Sequence, residues 1–285
     1  MKDFNIHFFK KSDQRPAINA NLHAYLLAVG AYSVENEKDA VKYVLRHPDL
    51  QFKAAFYITR SSSVPELWKL NPEYYDINFR LSFPFVSPTY FVELILNRVK
   101  HLCETFGLVV YSEFFKDILP FDQSQVLEIF KYIKGQYKVR HPEELISYLQ
   151  VSPRTATLAL TYLEEYRALS QHFSETGVFV PRYKLLKDNK NNAYFAVVWP
   201  EKTGLLVPPV LDLVYLEQGE HYRVLDFKQI KEIADAYLEP VPGFLKESKI
   251  IPLKRAKKVQ KLILKHRLPD VEKQFTECRL HNLVD

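Results

Sequence analysis

Apolar and polar positions alternate through the first stretch of the chain, DFNIHFF, and β-formers fill it, which predicts a strand near residues 4–9. The period then lengthens. NANLHAYLLAVGA repeats at helical spacing, with Leu22, Tyr25, Leu26 and Val29 on one side and Asn19 or Asn21 placed to cap its start. DAVKYVLRH reads as a short helix stopped before Pro48, and FKAAFYITR as a strand followed by a polar turn and Pro65. YDINFRLSFPF alternates again. Ile77, Phe79, Leu81 and Phe83 face one way, as in a half-buried antiparallel strand. SPTYFVELILNRVKHLCETFG is the next helix, with Ser87 and Pro88 suited to its first positions and Gly107 to its end. Tyr90, Leu94, Val99, Leu102 and Phe106 mark its apolar side, and LVVYSEFF returns to a strand. Helices against an antiparallel sheet make residues 1–121 an α+β domain with the helices on one face.

Residues 122–185 change rhythm. QSQVLEIFKYIKGQY places Val126, Ile129, Phe130 and Ile133 at i, i+3, i+4 and i+7. HPEELISYLQ reads as a second helix, with Pro142 and paired acids in its first turn. SPRTATLALTYLEEY is a third, capped by Ser152 with Pro153 at its first position. ALSQHFSETGVFVPRYKLL then suggests a hairpin turning at SETG. This order resembles a winged helix, with Leu149, Val151, Ala156 and Leu160 as its small core. The resemblance implies a recognition-type helix offering Arg154, Thr155, Thr157 and Thr161, with Lys131, Lys134, Lys138, Arg140, Arg182 and Lys184 nearby for phosphates. Gln150 stands where such turns often carry glycine, and Glu164 and Glu165 close the helix.

The third segment, 186–285, mixes strands (NAYFAVVWP, VLDLVYLEQGEHYRVLD), a Pro-rich connection (KTGLLVPPV) and a helix (DFKQIKEIADAYLEPV). It ends in a basic amphipathic helix, IPLKRAKKVQKLILKHRLPD. Leu253, Ala256, Val259 and Ile263 form the apolar stripe of that helix. Lys254, Arg255, Lys257, Lys258, Lys261 and Lys265 form its wet side.

From AAFYITR through VPELW, INFRLSFPF and the long helix to GLVVYSE, the order of elements is similar to the FtsZ-binding domain of the division protein ZipA. The membrane anchor and the Pro/Gln-rich linker of the full ZipA pattern do not appear in this sequence. The resemblance implies a sheet face that takes a peptide or protein partner, with Phe79, Leu81 and Phe83 as partner-binding residues.

Charge sharpens the picture at one place only. The chain carries a formal net charge of +5, whereas residues 246–267 alone hold nine Lys or Arg against one acid, Glu247. The positive balance is local, and it suits a nucleic-acid backbone, an anionic surface or an acidic partner. Seven glycines against 20 Phe and 18 Tyr leave no G-x-G-x-x-G or G-x-x-x-x-G-K loop, so no nucleotide cofactor is expected. Nine histidines form no H-E-x-x-H, and there is no G-x-S-x-G elbow, so neither a metal nor a catalytic residue is assigned. Two cysteines suit reduced thiols. No signal peptide or transmembrane run is found, which points to a cytoplasmic protein. Two functions follow: a non-catalytic interaction protein, linked through the ZipA resemblance to cell division, or a DNA-binding regulator using 123–185 and 246–267.

Overall fold

Strands β1 (Asp3–Lys11), β2 (Tyr32–Asn36), β3 (Ala40–Arg46), β4 (Lys53–Thr59), β5 (Tyr74–Pro84), β6 (Val109–Tyr111) and β7 (Leu119–Pro120) form one antiparallel sheet in the order β2-β3-β4-β5-β1-β6-β7. Helices α1 (Ile18–Ala28), α2 (Thr89–Phe106) and α3 (Gln123–Arg140) cover one of its faces. The class is α+β. The computed structural model describes residues 2–13, 18–29, 32–244 and 246–285. In place of the three expected segments the chain divides into two units, 1–146 and 147–285. The reason is α3, whose Phe130 meets Phe4 and Phe83 at 5.7 and 5.5 Å and so belongs to the N-terminal core.

The first unit's core follows from alternation. Phe4, Ile6 and Phe8 of β1 oppose Phe83, Leu81 and Phe79 of β5, and all six are buried under the helices. Phe8 and Phe79 lie 4.8 Å apart, and Phe79 stacks on Phe56 of β4 at 5.5 Å. The opposite face is closed at one end, where Val64 and Ile118 pack on Phe9 and Tyr111. Beyond that cluster runs a cross-strand row of His7, Arg80 and Tyr57. Burial, and then the Arg80 charge, drive the His7 imidazole down to about 4, so it is neutral near pH 7. The Arg80 guanidinium lies 4.6 Å from the Tyr57 ring centre.

Several expected elements are corrected. Residues 40–46 form β3, not a helix: they pair with β2 on one side and β4 on the other, and Tyr43, Val44 and Leu45 are consecutively buried, as in a strand covered on both faces. Asn19 and Asn21 do not precede α1, which begins at Ile18, so both stand within the helix. In α2 the buried side is Phe91, Val92, Ile95, Leu96, Val99, Leu102 and Cys103, so Val99 and Leu102 lie inside as expected while Tyr90, Leu94 and Phe106 are only half-buried, and Gly107 ends the helix at φ 63° as anticipated.

The second unit contains β8 (Leu149–Gln150), α4 (Pro153–His172), β9 (Val178–Phe179), β10 (Lys184–Lys187), β11 (Ala193–Trp199), β12 (Gly204–Val207), β13 (Leu213–Gln218) and β14 (His221–Asp226). It continues through α5 (Phe227–Ala234), β15 (Glu239–Pro240), β16 (Lys249–Ile251), α6 (Leu253–Lys265), β17 (Thr276–Cys278) and β18 (Leu283–Val284). These make a mixed sheet β14-β13-β11-β10-β17, a second sheet β15-β16-β12-β9, and a parallel pair β18-β8. Trp199, Leu205, Leu216, Ile230, Val259 and Ile263 share one core, which seats α5 and α6 on these strands.

The hairpin expected at SETG does not form. β9 pairs in parallel with β12, and β10 pairs with β11 and β17, so the two strands lie in different sheets. The helix expected over HPEELISYLQ is a single 3-10 turn, Pro142–Leu145, because Leu149 and Gln150 are drawn into pairing with Leu283 and Val284. The Pro-rich connection KTGLLVPPV contains the buried strand β12.

Candidate anion-binding surface

Helix α6 is built from a simple rule: one turn is 3.6 residues, so residues at i, i+3, i+4, i+7 and i+11 share a face. Ala256, Val259, Gln260 and Ile263 fill the inner face and are buried. Lys254, Lys257, Lys258, Lys261 and Lys265 fall on the outer face within roughly 100° of arc and are exposed. From Lys254 to Lys265 the row runs roughly 16 Å at 1.5 Å per residue.

Side-chain contacts and one close backbone approach fix this orientation. Gln260 accepts from the Lys202 amide and donates to the Pro200 carbonyl, both at 3.4 Å. Arg255 pairs with Glu239 at 3.1 Å, and the Lys258 ammonium lies 5.3 Å from the Tyr237 ring. The last contact is a close approach of backbone. A Cβ on Gly204 would stand 2.7 Å from the Ile251 carbonyl oxygen and 2.9 Å from the Leu253 nitrogen, so only glycine lets β12 run this near the start of α6.

The electrostatics of α6 are unrelieved. Among the described residues, no carboxylate pairs with Lys254, Lys257, Lys261 or Lys265, while Arg255 is held by Glu239. Lysines three and four apart repel by a few tenths of a kcal/mol per pair. Lys254 and Arg255 also stand in the first turn, where the helix dipole disfavours cations and where Pro252 supplies no side-chain cap. A negatively charged partner relieves both costs.

The other candidate residues are placed differently. Phe79, Leu81 and Phe83 are buried beneath helices, so they cannot present a partner-binding surface, and that expectation is corrected. They face inward because the apolar side of β5 is the side α2 and α3 cover. On α4, Ser152 caps as expected, its oxygen accepting from the Thr155 amide at 3.1 Å. Arg154 and Thr157 are exposed at the helix start. The hydroxyls of Thr155 and Thr161 are engaged locally, with Ser152 at 2.8 Å and the Thr157 carbonyl at 2.8 Å. Lys134, expected near phosphates, is buried and donates to the Ser87 carbonyl at 3.0 Å.

A cavity of about 620 Å³ lies between α2 and the start of α3. Its one thiol, Cys103, is pushed up to about 12 by burial and then by the Glu104 charge, so it stays protonated and unreactive. Two features escaped the sequence reading. Trp68 is 80% exposed on a 3-10 turn, Leu67–Lys69, and its only signal was an aromatic inside a polar turn. Gln260 reads as one more wet residue yet points inward.

The chain matches no family model, no curated protein and no solved structure. Among the described residues, no helix is long and apolar enough to cross a membrane. The functional reading therefore rests on the surface itself.

Proposed function

We propose that the protein acts by binding, and that α6 lies along the phosphate backbone of duplex DNA. One observation carries this reading: the row Lys254, Lys257, Lys258, Lys261 and Lys265, fixed outward by a buried inner face and without carboxylate partners among the described residues. Duplex DNA presents a negative charge about every 1.7 Å of its axis, and each neutralised phosphate releases counterions. Such contacts bind without reading sequence, and of the four base-edge candidates on α4, Arg154 and Thr157 are the exposed ones. The role is that of a DNA-binding regulator.

The test is anisotropy of a labelled random duplex at two salt concentrations, with the wild type beside a Lys257→Ala, Lys258→Ala double variant. We expect steep salt dependence whose slope falls by about 0.9 for each lost phosphate contact. No binding at low salt, or an unchanged slope in the variant, sinks the proposal.

A second reading is favoured by Trp68. An exposed tryptophan flanked by Leu67 suits the anchor of a protein interface, and the resemblance of the first unit to the ZipA domain suits a peptide or protein partner there. That reading makes the molecule a non-catalytic interaction protein linked to cell division, and its contact is insensitive to salt.

A further inference from the structure

Where α3 ends, the chain turns at His141 into the 3-10 turn Pro142–Leu145. This turn brings His141, Glu143 and Glu144 to one point, with one donor atom from each within 4.8 Å of the others. His141 Nδ1 lies 3.5 Å from Glu143 Oε1 and 3.7 Å from Glu144 Oε1. Those separations are longer than the 2.7–3.2 Å of an N–H···O hydrogen bond. They are close to the edge of a tetrahedron: two donors each about 2.1 Å from a zinc ion stand about 3.4 Å apart.

The surroundings hold two of the three donors in place. The Tyr137 hydroxyl donates to Glu144 Oε2, and Oε1 lies 3.7 Å from the imidazole Nδ1. The Tyr137 ring also lies 4.7 Å from the His141 ring and fixes its plane. Metal sites use partners of this kind to orient their ligands. His141 further lines a cavity of about 290 Å³ with Phe85, Phe114, Tyr132 and Tyr137, a walled space beside the cluster.

We propose that His141 Nδ1, Glu143 and Glu144 form a zinc site with one position left for water or a small anion. One imidazole with two carboxylates suits zinc over magnesium or calcium, which prefer all-oxygen shells. The pairing is between residues two and three apart at a helix end, which is why a search for H-E-x-x-H on a helix passes over it.

The experiment titrates the full chain, stripped with a chelator and dialysed, with cobalt(II) as a coloured stand-in for zinc. Expected is uptake of one equivalent with the visible absorption of a tetrahedral complex, displaced by zinc and not by magnesium. Glu143→Gln, at a mostly exposed side chain, and His141→Ala should each abolish that absorption, whereas His221→Ala should keep it. Thermal unfolding of the apo variants checks that they remain folded. The proposal is overturned if the wild type takes up no cobalt, or if either Glu143→Gln or His141→Ala binds it as the wild type does.

Discussion

In β5 the residues that share a face are apolar, Ile77, Phe79, Leu81 and Phe83; in α6 they are lysines. Both patterns are legible as amphipathic, and both offered themselves as contact surfaces. The apolar face is buried under α2 and α3, whereas the lysine face is open to water. The difference is one of cost. Periodicity says which side chains lie together but not what covers them, and an apolar face gains roughly 25 cal/mol per Å² by finding any cover. A row of unpaired ammonium groups loses far more by burial than it gains, so charge density fixes exposure where apolar alternation leaves it open.

The largest effect should come from cutting into the covered face. Phe83→Ala removes a ring that meets Phe4 at 5.4 Å and Phe130 at 5.5 Å, and should destabilise the protein by about 3–5 kcal/mol in denaturant unfolding. A loss below about 1 kcal/mol would mean that the face is not sealed.

Acid should act on the other side of the same sheet. The folded state holds the pKa of His7 at about 4, below its ordinary 6.5. Between those values the unfolded chain binds the proton and the folded one does not. This contribution is therefore complete above pH 6.5 and lost as pH falls toward 4, by roughly 2–3 kcal/mol. Comparing wild type with His7→Gln at pH 7 and pH 4.5 isolates it; equal pH slopes would refute it.

Gly204→Ala should cost about 1–3 kcal/mol by forcing β12 away from the start of α6. Its unfolding midpoint tests whether the seat of the lysine row is rigid. The smallest effect belongs to the row itself. Lys257→Ala with Lys258→Ala should change stability by no more than about 0.5 kcal/mol in either direction, even as the salt slope of DNA binding falls. A large loss would show these lysines to be structural.

What the sequence made legible was local. Ser152 caps α4 because its oxygen needs only the amide three residues on, and Gly107 ends α2 because only the backbone there must turn left-handed. The two faces of α6 follow from spacing alone. What stayed hidden was decided at a distance. Residues 40–46 are a strand because β2 and β4 flank them, and β9 leaves the expected hairpin because Gly204 and Leu205 offer it a parallel partner. Nothing within either segment carries that information. The zinc candidate was hidden for another reason: its geometry depends on where α3 stops, and helix ends are set by caps and neighbours more than by period.

The pairing of Leu283 with Leu149 and of Val284 with Gln150 bears on how the protein is made. A ribosome delivers the N-terminal sheet early, and that unit can fold while synthesis continues. The second unit cannot complete this pair until Leu283 and Val284 have emerged, whereas the elements that seat α6, β12 and α5, precede it in the chain. For that interval the newborn chain carries its densest positive charge in a unit whose last strand is still missing, beside a ribosome made largely of RNA.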